Sequence, residues 1–295
     1  MVLAIIALFF LPLTGADMEE PDKSRTANGG RAILLEQLTA TWCDTCATID
    51  PWVTNFVDER SNRVVRIAFH PNDHDPFGSP LTTHRIALKA PETTPSLPTF
   101  WFDGEGEMEG QVTPSMLENN LRNAESNRED SLQMQVWWDT WSDTADDEIQ
   151  KLSIHIPNSL PNNTTITVFK LESLSMKNQE IAYNGIDTHH DVATQMIVFR
   201  ENGTVSSSFG GTGGWNLSDG TREGAGAVPI YILETNGSAD GFVTVIEVDG
   251  VVRGVIGIYD DENPRNVEND GFLATLLLAG ALVTSSILIS RSKLQ

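Results

Sequence analysis

Two cysteines, Cys43 and Cys46, are all that 295 residues contain, so the chain can form at most one disulfide of its own. Positive charge is also scarce: 19 lysines and arginines stand against 41 aspartates and glutamates, for a formal net charge of -22. A surface of that sign repels phosphate backbones, which excludes nucleic acid as a partner. The acid is spread along the whole length and reads as a heavily solvated surface, with no bearing on chemistry. Long charge-free apolar runs are missing from the body of the chain and occur only near its two ends.

Those ends are informative. "FLATLLLAGALVTSSILI", Phe272 to Ile289, carries no charge and is just long enough for a bilayer core. An acidic stretch precedes it, and Arg291 and Lys293 follow. This predicts a single C-terminal transmembrane helix over 272–289, a linker over 263–271 and a cytoplasmic tail over 290–295. The opening "MVLAIIALFFLPLTGA" predicts a signal peptide over residues 1–16, with Thr14 and Ala16 before the cleavage point. It lacks a basic leader, and an uncleaved N-terminal anchor is the alternative. The expected location is the cell membrane, single-pass, with the folded domains extracytoplasmic, where disulfides persist. Sequons at Asn162, Asn163, Asn202, Asn216 and Asn236 agree with a glycoprotein on that side.

Between the ends the texture changes once. Residues 17–30 read as a polar linker. From Arg31 the order is strand, helix, strand, helix, two strands and helix. "AILLEQL", "RVVRIAF" and "PTFWFDGEGEMEGQV" supply the strands. Ile49, Trp52, Val53, Phe56 and Val57 recur at helical spacing in the first helix, where Pro51 predicts a kink or break. Thr113 followed by Pro114 is a strong helix start. This order predicts an α/β domain over 31–130, an open sheet with helices on both faces. From Ser131 helical periodicity disappears, and short apolar or alternating runs between Asn-, Gly- and Ser-rich turns predict an all-β sandwich of about seven strands over 131–262.

The chemistry lies in "LEQLTATWCDTCATIDP". Cys43 falls where a strand ends and a helix begins, so free N–H groups and the helix dipole favour a thiolate there. Cys46 is one turn further along the same face. In a redox pair Cys43 is the attacking thiol and Cys46 the resolving one, with Asp44 opposing part of the thiolate stabilisation. A purely structural bond across so short a loop restrains the unfolded chain by only about 1.9 kcal/mol. A zinc site needs two more ligands from His70, His74 and His84, whose spacing fits no structural zinc pattern. The surroundings favour the redox pair, and no metal or cofactor is assigned.

"LTATWCDTCA", with Trp42 ahead of the first cysteine, resembles the active-site segment of the thioredoxin superfamily. "PSLPTFWF" resembles its second landmark, which implies a cis peptide between Leu97 and Pro98 facing the disulfide. Within that superfamily the chain is most similar to the outer-membrane-protein-related thioredoxin-like proteins of bacterial surfaces. "LLEQLTATWCDTC", "HPNDHDPFG", "YNGIDTHHDVATQMIVF" and "GFVTVIEVDGVVRGV" carry that likeness. The resemblance implies a thioredoxin-like domain over 31–130. It also implies a thiol–disulfide oxidoreductase acting on protein disulfides through Cys43 and Cys46, with Trp42, Leu97 and Pro98 binding substrate. Two positions depart from the superfamily. Gln37 stands where thioredoxins often carry a buried acid, and Glu36 beside it should face the other way. Asp44–Thr45 lies between the cysteines, which leaves the direction of electron flow open. A reductase of this design implies a separate membrane redox partner. The competing reading is a surface binding or adhesion protein whose β-domain does the work over a non-catalytic scaffold.

Three other features read as structural. His189 and His190 in "DTHHDVA" suit a solvated turn. Trp137, Trp138 and Trp141 suit core filling and a contact between the domains. "GGTGGWNLSDG" suits a flexible loop, since no phosphate-binding helix follows it.

Overall fold

The structure, a computed structural model, describes residues 20–142, 148–178, 184–210, 214–222 and 228–260. Strand β1 (Lys23–Gly29) is followed by β2 (Ile33–Leu38), helix α1 (Asp44–Asp58), β3 (Val64–Phe69), α2 (Pro80–Lys89), β4 (Thr99–Phe102), β5 (Glu105–Glu109) and α3 (Pro114–Asn127). Nine strands follow. They are β6 (Met134–Ser142), β7 (Glu148–His155), β8 (Thr164–Ser175), β9 (Thr188–Arg200), β10 (Val205–Phe209), β11 (Asn216–Arg222), β12 (Val228–Asn236), β13 (Gly241–Val248) and β14 (Val251–Tyr259).

Local chemistry accounts for the helix starts. The Ser79 and Thr113 side chains accept the N–H groups of Leu81 and Met116, and a proline occupies the first turn after each cap. Helix α1 begins at Cys43, whose sulfur accepts the Cys46 N–H at 3.0 Å. It then runs through Pro51 without the expected break. The proline is exposed, while Ile49, Val53, Phe56 and Val57 on the opposite face are buried; that packing holds the helix together across the lost hydrogen bond. Between β4 and β5, Asp103 and Gly104 have φ of 52° and 81°, the left-handed pair a tight hairpin turn requires.

The strands form two sheets. One has five strands in the order β1-β6-β7-β12-β11. The other has nine, in the order β14-β13-β8-β9-β3-β2-β4-β5, with β10 paired to β9. Strand β9 lies parallel to β3 with Ala68 opposite Val192, so the larger sheet draws strands from both halves of the chain. Its faces define three cores. Ile33, Leu35 and Phe100 pack against Val53 and Phe56 of α1 and Leu117 and Leu121 of α3. Leu34, Ile67 and Phe69 pack on the other face with Leu81 of α2 and with Phe169, Val243 and Val245 from the later strands. Ile166, Val168, Phe242 and Ile246, facing the opposite way, meet Val136, Trp138 and Leu152 of the smaller sheet. Each such side chain contributes about 1.5–3 kcal/mol when fully buried.

These facts correct the expected fold class. A thioredoxin-like α/β domain over 31–130 followed by a separate all-β sandwich is not what the described residues build. The described residues are mostly strand with three α-helices, and the larger sheet crosses residue 130. The open edge of β3 is covered by β9, which leaves no separate α/β core. Residues 23–29, read as linker, form β1 and pair with β6 from Lys23 opposite Thr140 to Gly29 opposite Met134. Asn216–Gly220, read as the end of a flexible loop, belongs to strand β11.

The membrane expectation is corrected too. Among the described residues no helix is long and apolar enough to cross a membrane, so the single-pass placement at the cell membrane finds no support. The segments at 1–16 and 272–289 lie outside the described residues.

Buried charge ties the halves together. Arg85 of α2 donates to Glu36 of β2 at 2.5 Å and to Glu247 of β13 at 3.0 and 3.3 Å, and Lys89 lies 3.0 Å from Glu36. Burial alone would raise the Glu36 pKa, but Arg85 and Lys89 hold it below the ordinary value. Glu36 therefore points away from its neighbour Gln37, as strand alternation requires.

Candidate functional site

The segment that leads into Cys43 and Cys46 is a tight turn between β2 and α1. Cys43 and Cys46 are joined as a disulfide with Cα atoms 5.2 Å apart. Cys46 is fully buried, Cys43 is 7% exposed, and Trp42 beside them is 40% exposed. Because the Cys43 sulfur already receives the Cys46 N–H, a thiolate there would gain that hydrogen bond and the helix dipole.

A groove of about 710 Å³ runs past this point, lined by Trp42, Cys43, Asp44, Pro71, Ile86 and Leu97 among others. Trp42, Cys43 and Leu97, three of the five residues singled out in the sequence, therefore share one surface. Cys46 lies behind Cys43, in a small cluster with Ala40 and against Leu97. The Leu97–Pro98 peptide is cis, but Pro98 is buried and does not line the groove. Pro71, Asn72 and Asp73, from the "HPNDHDPFGSP" loop, form part of the rim.

Behind the disulfide the surroundings are polar. Asp50 follows Cys46 by four residues and so lies one turn along the same helix face. Its carboxylate accepts from Gln37 Nε2 and from the Thr39 hydroxyl, each at 2.6 Å. Burial pushes its pKa up, and Thr39, Arg66, His70 and Gln37 offset only part of that. Asp50 and Gln37 line a second cavity of about 340 Å³ with Arg66, His70, Ile186 and His189.

A carboxylate in the rim loop holds the turn itself. Asp75 Oδ2 accepts the Thr41 N–H at 2.7 Å and the Thr41 hydroxyl at 3.1 Å, while Oδ1 lies 3.1 Å from His70 Nδ1. Burial would raise the Asp75 pKa, but His70 and the N–H groups of Thr41 and Phe77 keep it below the ordinary value.

His189 departs most from expectation. Its sequence context suits a solvated turn, yet it is 4% exposed in β9, edge-on to His70 and Phe77. Burial, then the neighbouring His70, lower its pKa to about 4. The cause is the pairing of β9 with β3, which carries this segment inward. His74 is exposed and His84 packs against Phe209, so neither accompanies His70. Trp138 fills the core between the sheets against Phe242, whereas Arg222 covers Trp137 and Lys151 lies over Trp141. None of the three joins the cysteine turn.

No family model and no curated protein matches the chain. Its structure is similar to HBP35 of Porphyromonas gingivalis. The TM-score is 0.54 at 14% identity, over 79% of this chain and 76% of that one. A likeness at that identity speaks to the arrangement of strands and helices alone.

Sequence reasoning missed Asp50 and Asp75 and misplaced His189. Asp50 had left a signal, since it is the one acid on the apolar stripe that Ile49, Val53, Phe56 and Val57 define. Asp75 left none, and the His189–His190 pair in the sequence gave no sign that His189 is buried, because their partners are set by sheet pairing and loop closure.

Proposed function

We propose that this chain is a thiol–disulfide oxidoreductase that acts on protein disulfides through Cys43 and Cys46. The observation that carries the reading is the placement of Cys43, at a helix N-terminus and in the wall of an apolar groove beside an exposed tryptophan. In the reducing direction the Cys43 thiolate attacks a substrate disulfide, forming a mixed disulfide and releasing one substrate thiolate. Cys46 then attacks the Cys43 sulfur and releases the second substrate thiolate, leaving Cys43–Cys46 oxidised. Two electrons and two protons pass to the substrate, and an external dithiol restores the pair. Asp50, one turn behind Cys46 and with a raised pKa, is suited to take the Cys46 proton before that attack. Trp42 and Leu97 offer the apolar surface on which a substrate segment rests.

Dithiothreitol-driven reduction of insulin disulfides tests the reading with the full chain. The wild type should accelerate it, Cys43→Ser should abolish the acceleration, and Cys46→Ser should accumulate mixed disulfides with partner proteins. Equal rates for wild type and Cys43→Ser would sink the proposal. Absence of mixed disulfides would favour a binding protein in which the cysteine turn serves as scaffold.

A further inference from the structure

The redox turn is held on one side by Asp75. On the other it is held by a residue more than a hundred positions away. Asn184, in the connection from β8 to β9, donates from Nδ2 to the Ala40 carbonyl at 3.1 Å and to the Cys43 carbonyl at 3.2 Å. Its Oδ1 accepts the Ile186 N–H at 3.1 Å. That third bond fixes the amide's orientation, because an oxygen engaged with an N–H leaves only the NH2 end to face the turn. The two carbonyls it bridges are the first and last of Ala40–Cys43. Each also accepts an N–H from within the chain: Cys43 N to Ala40 O at 3.2 Å, and Ala47 N to Cys43 O at 3.1 Å.

We infer that Asn184 is a positioning residue for Cys43, supplied by the second half of the chain. It closes the turn that sets the Cys43 sulfur against the Cys46 N–H, and it aims the positive end of its amide dipole at the backbone of the residue that ionises. Removing it takes one of the two hydrogen bonds from the Cys43 carbonyl, leaving the Ala47 N–H, and takes that dipole away, so the thiolate loses stability relative to the thiol. This inference rests on the redox reading and adds that the β8–β9 connection takes part in tuning the site.

The test uses the full chain in a Cys46→Ser background, so that Cys43 is the one thiol present. The rate of alkylation by iodoacetamide is followed against pH. A hydrogen bond of ordinary strength corresponds to a factor of about three to ten. Asn184→Ala should therefore raise the Cys43 pKa and slow alkylation at pH values below it by that factor. Asn184→Asp, of nearly the same size, replaces the donor by a carboxylate and should raise the pKa further. It carries the test if the alanine variant does not fold. Restoration of the wild-type profile by Asn184→Gln would support a role for the amide itself. An unchanged pH profile beside a lowered melting temperature would make Asn184 a structural residue only and overturn the inference. Absence of insulin reduction by the wild type would instead defeat the redox reading and leave the measured pKa to decide Asn184 separately.

Discussion

Replacing His189 by leucine should make the protein more resistant to acid. In the folded chain His189 holds its proton only below about pH 4, because burial and the adjacent His70 disfavour the charged ring. In the unfolded chain it titrates near the ordinary value of 6.5. Between those values the unfolded state binds the extra proton, so folded stability falls as pH drops from about 6.5 to about 4. Above 6.5 neither state carries the proton and the contribution is level. That interval, at about 1.4 kcal/mol per pH unit, amounts to about 3 kcal/mol of lost stability. The charged or titratable groups acting on the ring are His70, Asp75, His190 and Arg66, and all remain in the variant. Leucine is close to histidine in volume, so packing on His70 and Phe77 changes little. Urea denaturation of both proteins at steps from pH 7.5 to 4 measures the effect. The gap between the two stability curves should shift by up to about 3 kcal/mol in the variant's favour as pH falls. Parallel curves would refute a buried, neutral His189.

Two further substitutions probe the rest of the site. Asp50→Asn removes a carboxylate whose charge is costly to bury, so it should raise the melting temperature at neutral pH while slowing insulin reduction. A loss of both stability and rate would assign Asp50 to packing instead. Arg85→Met leaves Glu36 and Glu247 buried with only Lys89 to share between them and should cost roughly 3–5 kcal/mol in chemical denaturation. The further changes Glu36→Gln and Glu247→Gln in that variant should recover most of the loss. A cost under about 1 kcal/mol for Arg85→Met would show that the network is solvated.

The sequence by itself determined the local features. Thr113 and Pro114 start a helix, Ile49, Val53, Phe56 and Val57 define its buried stripe, and Cys43 meets a helix N-terminus. Each of these is decided within one or two turns of chain by capping, periodicity and steric exclusion. Even the separation of Glu36 from Gln37 followed from strand alternation. What lay beyond the sequence is everything that depends on which edges join. The pattern of short runs implied two domains with a boundary near residue 130, and only the pairing of β9 with β3 made one sheet of them. That pairing buried His189, which the local pattern places in solvent, and brought Asn184 to the carbonyls of the cysteine turn. Sheet edges are recognised through backbone hydrogen bonds, which are alike in every residue but proline. The side-chain pattern therefore reveals that a strand exists without revealing its neighbour. The tertiary structure alone decided that the cysteine turn is held by residues from both halves of the chain.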